Sequence, residues 1–550
     1  MATAPLPPAS VAGATVAWVR SDADTDDYLT GRELHLFTSA SDPLTFGGLA
    51  STSHFALASP SDLTGNQRSI YFTFAPVAPL PFLATWNSAV PSAGLRFMKT
   101  GLTHATANYP APGLVSGLNM TLGYRACNMI EGAVYVHDFA FAATDTAPLQ
   151  KLSMDFAVKC DGFGLIKGAI RHNSAVSLVT DDIFVVTGED RAMLEGRTLL
   201  LDGTFSWAPK EKISAYKWTQ VSGPAFDMSD CERAVCVTYA PLVAKGGAKA
   251  IFQLGVTTAS GRSASRQVAV EIRSHLDKQS RFELTGAGYL SGGHGEQSTS
   301  TFFNEKTFRP NPRRYWRAID PGPNDSATGG AFPEAQQSEQ FALIMEGVTR
   351  ERGNIAADLM FSLPKGMPLT PGQYSTVARG TYPEPGLVQF GFNILGRGCN
   401  SAYTEVILGK ISRAADDFTK ISELGFWFDS RCFKPDGTLE PYSNYGLVWL
   451  DYQPTGSPTA VVIGPASAVP GETVQLSAKS SSDPGGGIRL FAWSSPGRLH
   501  APGAVDATDP AKLSVTIPAD ATIGSTYVIS LEVLDNDGNT AVTLHKITVK

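Results

Sequence analysis

The sequence predicts an all-β protein built of tandem antiparallel β-sandwich domains in an A-B-A-B arrangement. Three observations carry that prediction. Apolar and polar residues alternate with period two in many short runs, such as SIYFTFAP from Ser69, VAVEIRS near Val268, TVQLSA from Thr473 and YVISLEVLD from Tyr527, each bounded by Gly, Pro, Asp or Asn. Four of the six cysteines form two pairs with one spacing, Cys127 to Cys160 and Cys399 to Cys432, both 33 residues apart. The text around those pairs recurs in the same order in both halves of the chain, which is the mark of a duplicated unit.

The duplication sets the order of the parts. The first A unit (14–175) carries PGLV at Pro112, LGYRACN from Leu122 and DFAVKC ending at Cys160; the second (279–455) carries PGLV at Pro385, LGRGCN from Leu395 and WFDSRC ending at Cys432, displaced by 272 residues at the cysteines. Between and after them lie the B units, 178–274 and 458–550. There EGRTLLLDG (Glu195 to Gly203) aligns with PGETVQLSA (Pro470 to Ala478), and Trp218 falls on Trp493 at a displacement of 275 residues. Two windows have some helical character, 330–352 and 412–424. The first contains Phe341 to Leu343, whose counterpart at Phe55 to Leu57 reads as a strand, so a strand is expected there. The linkers HNSAV, SHLDK and QPTGSP are short, so a semi-rigid rod of four domains is expected.

Composition narrows the class. At about 150 residues per domain, 550 residues make several domains. Charged residues are only 17%, against roughly 25% in average soluble domains, and 44 basic against 51 acidic side chains leave a net charge of -7. That balance excludes a basic nucleic-acid surface, and no apolar run is long enough to span a membrane as a helix. The start, MATAPLPPAS, lacks a basic and apolar export signal, so either a leader was removed or export takes another route. Because each copy must fold by itself, the cysteines are read as three disulfides, Cys127 with Cys160, Cys399 with Cys432 and Cys231 with Cys236, against the competing reading of six thiols in a reducing compartment. An extracellular or cell-surface location follows.

The B units also resemble a known family. SSSDPGGGIRLFAW followed by ISLEVLDNDGNTAVTLHKITV, through Asp483, Gly485, Trp493 and Asp535 to Gly538, resembles the PKD family of immunoglobulin-like domains. The first B unit resembles related PKD-like variants through Trp218, Gln220, Gly223 and Pro224, with TASGRS where the D-N-D-G turn would be. The resemblance implies a buried tryptophan between two sheets and a role in extracellular spacing, adhesion or polysaccharide contact. The A units resemble an uncharacterised repeated domain of exported bacterial proteins, which implies location and company only.

A search for chemistry returns weak candidates. The chain has no G-x-S-x-G elbow, H-E-x-x-H or phosphate loop, its nine histidines are dispersed, and no catalytic residue is assigned. His137-Asp138 sits in an expected strand, and its second-copy counterpart is Gly409-Lys410. The hairpin Asp535, Asn536, Asp537 offers oxygen ligands that would suit calcium, the one cofactor considered, with a turn chosen for backbone geometry as the alternative; Asp24, Asp26 and Asp27 form a second acidic cluster. Arg313, Arg314, Tyr315, Trp316 and Arg317 combine guanidinium groups and aromatic faces in the manner of an acidic-sugar contact, or else anchor a loop. Trp86, Trp427 and Trp449 are expected in the interior. The expected function is non-catalytic: adhesion, glycan or matrix binding, or surface assembly by self-association into filaments. The alternative is a secreted hydrolase or its accessory substrate-binding region.

Overall fold

The computed structural model describes the strands named below, the stretches 164–188, 190–229, 231–286, 421–434, 436–440, 444–494 and 509–550, and residues 34, 100, 370–371 and 388. Among the described residues every regular element is a strand. Group A1 comprises β1 (Thr15–Ser21), β2 (His35–Thr38), β3 (Thr45–Gly47), β4 (Phe55–Ala58), β5 (Ile70–Ala75), β6 (Gly101–Thr106), β7 (Gly117–Leu122), β8 (Arg125–Ala126), β9 (Ile130–Phe141), β10 (Leu149–Cys160) and β11 (Leu165–His172). Group B1 follows with β12 (Arg191–Leu194), β13 (Thr198–Asp202), β14 (Ile213–Ser222), β15 (Val235–Tyr239), β16 (Ala248–Thr258) and β17 (Ser263–Arg273).

Group A2 holds β18 (Gln279–Gly286), β19 (Ser298–Phe303), β20 (Phe308–Pro310), β21 (Gln337–Thr349), β22 (Gly353–Pro364), β23 (Gly372–Arg379), β24 (Gln389–Ile394), β25 (Arg397–Gly398), β26 (Ser401–Arg413), β27 (Ile421–Cys432) and β28 (Asn444–Tyr452). Group B2 closes the chain with β29 (Ser467–Ala468), β30 (Thr473–Ser477), β31 (Ile488–Ser494), β32 (Lys512–Thr516), β33 (Thr526–Asp535) and β34 (Thr540–Val549). Both windows with helical character contain strand: β21 lies in the first, and β27 begins in the second.

Sheet order is the same in the two copies. A1 forms a six-stranded sheet, β2-β1-β11-β10-β9-β6, and a five-stranded sheet, β3-β4-β5-β7-β8; A2 forms β19-β18-β28-β27-β26-β23 and β20-β21-β22-β24-β25. B1 pairs β12-β17-β16-β14 with a two-stranded β13-β15 sheet, and B2 pairs β29-β34-β33-β31 with β30-β32. The ladders are antiparallel except β12 with β17 and β29 with β34, where a short entry strand runs parallel to the last strand of its group.

Cores fill the space between paired sheets. In A1, Phe72 and Met120 of the smaller sheet meet Val134, Val136, Met154, Phe156 and Ile170 of the larger one. In A2, Phe390 of β24 stacks near Phe428 of β27, with ring centroids 4.7 Å apart. Each B core centres on the tryptophan expected there: Trp218 and Trp493 are buried, and their indole N–H groups donate to the carbonyls of Ala234 (3.1 Å) and Pro510 (3.0 Å). Gln220 stitches its own loop, donating to Pro224 O at 2.7 Å and accepting from Phe226 N at 3.0 Å. Gly223 in that loop has φ of 100°, and a Cβ there would meet the Lys249 carbonyl at 2.5 Å, so glycine is required.

The cysteines sit where the duplication puts them. Cys231 is bonded to Cys236. Cys160 and Cys432 are disulfide-bonded, and no free cysteine occurs among the described residues; the expected partners Cys127 and Cys399 lie outside those residues. In the ladders Cys160 stands opposite Ile130 and Cys432 opposite Ala402, in each copy three residues beyond the expected partner.

Candidate functional site

The expected binding segment Arg313, Arg314, Tyr315, Trp316 and Arg317 lies outside the described residues, as do Trp86, Asp24, Asp26 and Asp27. The acidic hairpin of B2 is described, and its groups are engaged in the turn and in docking. One Asp535 oxygen accepts from the N–H groups of Asp537 and Asn539, both at 2.8 Å, and the other from Asn539 Nδ2 at 3.0 Å. Asn539 Oδ1 accepts from the Tyr452 hydroxyl and from Thr455 N, both at 3.2 Å. Burial, with the nearby charge of Asp483, pushes the Asp535 carboxyl above the usual range. Among the described residues no three His, Cys, Asp or Glu side chains converge to hold a metal ion.

This hairpin rests on A2. In β26 one extra residue, Gly409, interrupts the ladder with β27 as a bulge, and a Cβ on it would lie 2.3 Å from the Asp537 carbonyl. Around that contact Ile407, Trp427, Leu447, Trp449 and Tyr452 of A2 form one buried cluster with Leu534 of B2, and Leu490 packs against it. A cleft of about 330 Å³, counting its open mouth, runs along this joint, lined by Tyr445, Leu447, Leu490, Leu534, Thr540 and Glu532.

The same face of A1 is built from different chemistry. Phe156 stands opposite Gly168, and Phe428 opposite Gly446, so the copies align residue by residue: Asp155 corresponds to Trp427, Arg171 to Trp449, and His137, at the matching bulge of β9, to Gly409. Asp155 and Arg171 are both fully buried and paired at 2.8 Å, and His137 Nε2 shares the same carboxylate oxygen. Arg171 also donates to the carbonyls of Met154 (2.5 Å) and Ser177 (3.1 Å), and buried Lys167 donates to Ala208 O at 3.0 Å. B1 covers this cluster with Phe184 and Trp207, stacked at 4.4 Å, and the Phe184 ring lies 5.9 Å from His137. An imidazole held by a buried carboxylate resembles an oriented base, but here the carboxylate is neutralised by Arg171 and the imidazole is walled by Tyr135 and Phe184. Where A1 supplies charge and B1 the aromatics, A2 supplies the aromatics and B2 a polar hairpin.

B1 makes two further joints, one at its own exit and one with B2. Glu195 of B1 is 1% exposed and accepts from Ser274 Oγ (2.9 Å), His275 N (2.8 Å), His275 Nδ1 (2.5 Å) and Val243 N (2.5 Å), clasping the exit of B1 into A2. Burial by itself raises the Glu195 carboxyl, but the hydrogen bonds from His275 and from the two backbone N–H groups outweigh it and hold the group below the usual carboxylate range. The neighbouring Arg197 forms a buried ion pair with Glu532 of B2, 335 residues away in sequence. Gly196 (φ of 72°) is pressed on B2 so closely that a Cβ would lie 2.3 Å from Val542 and 3.2 Å from Ser530. The rod expected from short linkers is therefore replaced by a chain in which B1 touches B2 directly.

Sequence reasoning missed these joint residues. A signal existed in the alignment itself: Glu195, Gly196 and Arg197 fall on Pro470, Gly471 and Glu472, so the position after a shared glycine reverses its charge between copies.

No family model and no curated protein matches the chain. Solved structures with local likeness include the insect immune protein hemolin, at 11% identity over 67% of this chain and 76% of that one, with a TM-score of 0.14. SGBP-B of the Bacteroides ovatus mixed-linkage glucan utilization locus, in complex with a mixed-linkage heptasaccharide, is 11% identical over 68% of this chain and 71% of that one, with a TM-score of 0.12. The human desmocollin-1 ectodomain is 7% identical over 76% and 92%, with a TM-score of 0.13. At such values the activities of those proteins remain their own.

Proposed function

We propose that this chain is a non-catalytic extracellular or cell-surface protein that works by presenting surfaces for adhesion, glycan or matrix binding, or surface assembly. The observation that carries the reading is the use made of its buried charges. Asp155 with Arg171 lies in A1 beneath Phe184 of B1, Glu195 with His275 holds the exit of B1, and Arg197 with Glu532 joins B1 to B2 directly, so the buried charges gather where strand groups meet. Buried charges of this kind specify geometry more than they add stability. Oxidised cysteines in A1, B1 and A2 support an oxidising location.

In this reading the chain divides at 14–175, 178–274, 279–455 and 458–550, with the B units PKD-like and the Arg313–Arg317 segment, with Tyr315 and Trp316, as the carbohydrate contact. Incubation with a panel of polysaccharides and peptides tests it. The expected result is no turnover, with retention on acidic glycans that is lost in Trp316→Ala. Turnover abolished by a single substitution overturns it in favour of a hydrolase.

A further inference from the structure

The contact between B1 and B2 joins two copies of one module through different faces. B1 offers the corner of its two-stranded sheet: Gly196, Arg197 and Tyr239. B2 receives it on the outer face of its four-stranded sheet, at Ser530, Glu532 and Val542. Contact between unlike faces of like modules is heterologous, and it leaves one unused face of each kind: the corner of B2 and the outer sheet face of B1.

Both unused faces are exposed and formed. The corner of B2 repeats the left-handed glycine, Gly471 with φ of 82°, but among the described residues no atom beyond its chain neighbours lies within 4 Å of where its Cβ would be, whereas Gly196 is buried against Val542. Glu472, Thr473 and Thr516 around it are exposed. On B1, register places Gly255 where B2 has Glu532, and Ser265 where B2 has Val542, since Trp218 faces Leu254 as Trp493 faces Leu531. Gly255 leaves room, and the residue directly opposite it on β14 is Lys217, whose side chain is 63% exposed and pairs with the exposed Glu232 at 2.9 Å.

The charges are reversed together. Within the chain the corner carries Arg197 and the receiving face carries Glu532; on the unused pair the corner carries Glu472 and the receiving face carries Lys217. We propose that the B2 corner of one chain docks on the outer sheet face of B1 in a second copy of the same chain, with Glu472 over Gly255 and paired to Lys217. Because the contact is heterologous, each docked copy presents a fresh face of each kind, and association proceeds head to tail into a closed ring or an open filament.

This inference rests on the assembly reading above and is tested separately from it. Sedimentation velocity of the full chain over a range of concentrations, at low and high salt, is expected to show oligomers that grow with concentration and weaken with salt. Lys217→Glu and Glu472→Lys should each weaken association by about tenfold or more, and the double reversal should restore it. Glu232→Gln, which only removes the local partner of Lys217, should leave association intact or strengthen it. Because all three positions are exposed, thermal melting should be unchanged. A chain that stays monomeric, or oligomers indifferent to either reversal, or a double variant as weak as the single ones, overturns the contact. The substrate and glycan tests of the broader reading would still stand on their own results.

Discussion

Asp155, Arg171 and His137 show how one residue position is decided by what covers it. At the corresponding positions of A2 stand Trp427, Trp449 and Gly409, and both solutions are buried, so the fold itself accepts either charge or indole there. The charged solution is the more fragile. Asp155→Ala leaves the Arg171 guanidinium buried beside carbonyls without its counter-charge, and we expect a loss of ~3–5 kcal/mol in chemical denaturation. Removing both partners, as Asp155→Leu with Arg171→Met, should cost clearly less than the sum of the single changes. Gly409→Ala drives a methyl group into the Asp537 carbonyl; it should destabilise the A2–B2 joint by roughly 1–3 kcal/mol, read as earlier melting or proteolysis of B2. None of this was legible from single residues, because Asp155 meets Arg171 and His137 only across strands. Trp218 and Trp493 were legible, because they align at the 275-residue displacement and the PKD-like resemblance implies a tryptophan in the sandwich core.

At the scale of the element, the recurring phenylalanine four residues before Cys160 and Cys432 has a use that the sequence marked but did not explain. Phe156 lies over Gly168 and Phe428 over Gly446 on the neighbouring strand, so closely that a Cβ on either glycine would meet the ring at 2.5 and 2.1 Å. The ring fills the gap that glycine leaves in the face of the sheet. Phe428→Ala should therefore open a cavity costing ~3–5 kcal/mol, measured by denaturant midpoint, and Gly446→Ala should not rescue it, because its single methyl replaces only a small part of the ring. Strands such as β5, β17, β30 and β33 were readable because alternation and turn residues are local signals. The parallel β12–β17 and β29–β34 pairs were not, because the direction of a short entry strand is set by which open edge it reaches.

At the scale of the molecule, the joints decide shape. Linker length predicted a rod, yet the surfaces on either side of the linkers fit each other well enough to bring B1 to B2. Glu532→Ala, which removes the buried carboxylate paired with Arg197, should cost ~3–5 kcal/mol and enlarge the radius of gyration seen by small-angle X-ray scattering. The exit of B1 should respond to acid. Glu195 titrates below its ordinary value of about 4.3 in the folded chain, so its contribution to stability is fully present above that pH and is lost as pH falls through the lower folded value. Acid-tolerant proteolysis between Ser274 and Lys278 should accelerate below pH of about 4 in the natural chain. In Glu195→Gln it should be fast already at neutral pH.

The Arg197–Glu532 pair also orders the folding of the chain in time. Arg197 leaves the ribosome 335 residues before its counter-charge. Until β33 is made and in place, the B1 corner lacks the Glu532 carboxylate and the surface against which Gly196 packs. Docking of B1 on B2 is therefore a contact between distant segments, of the kind that forms slowly. A helper protein that shields an isolated basic corner would have its longest opportunity in that interval.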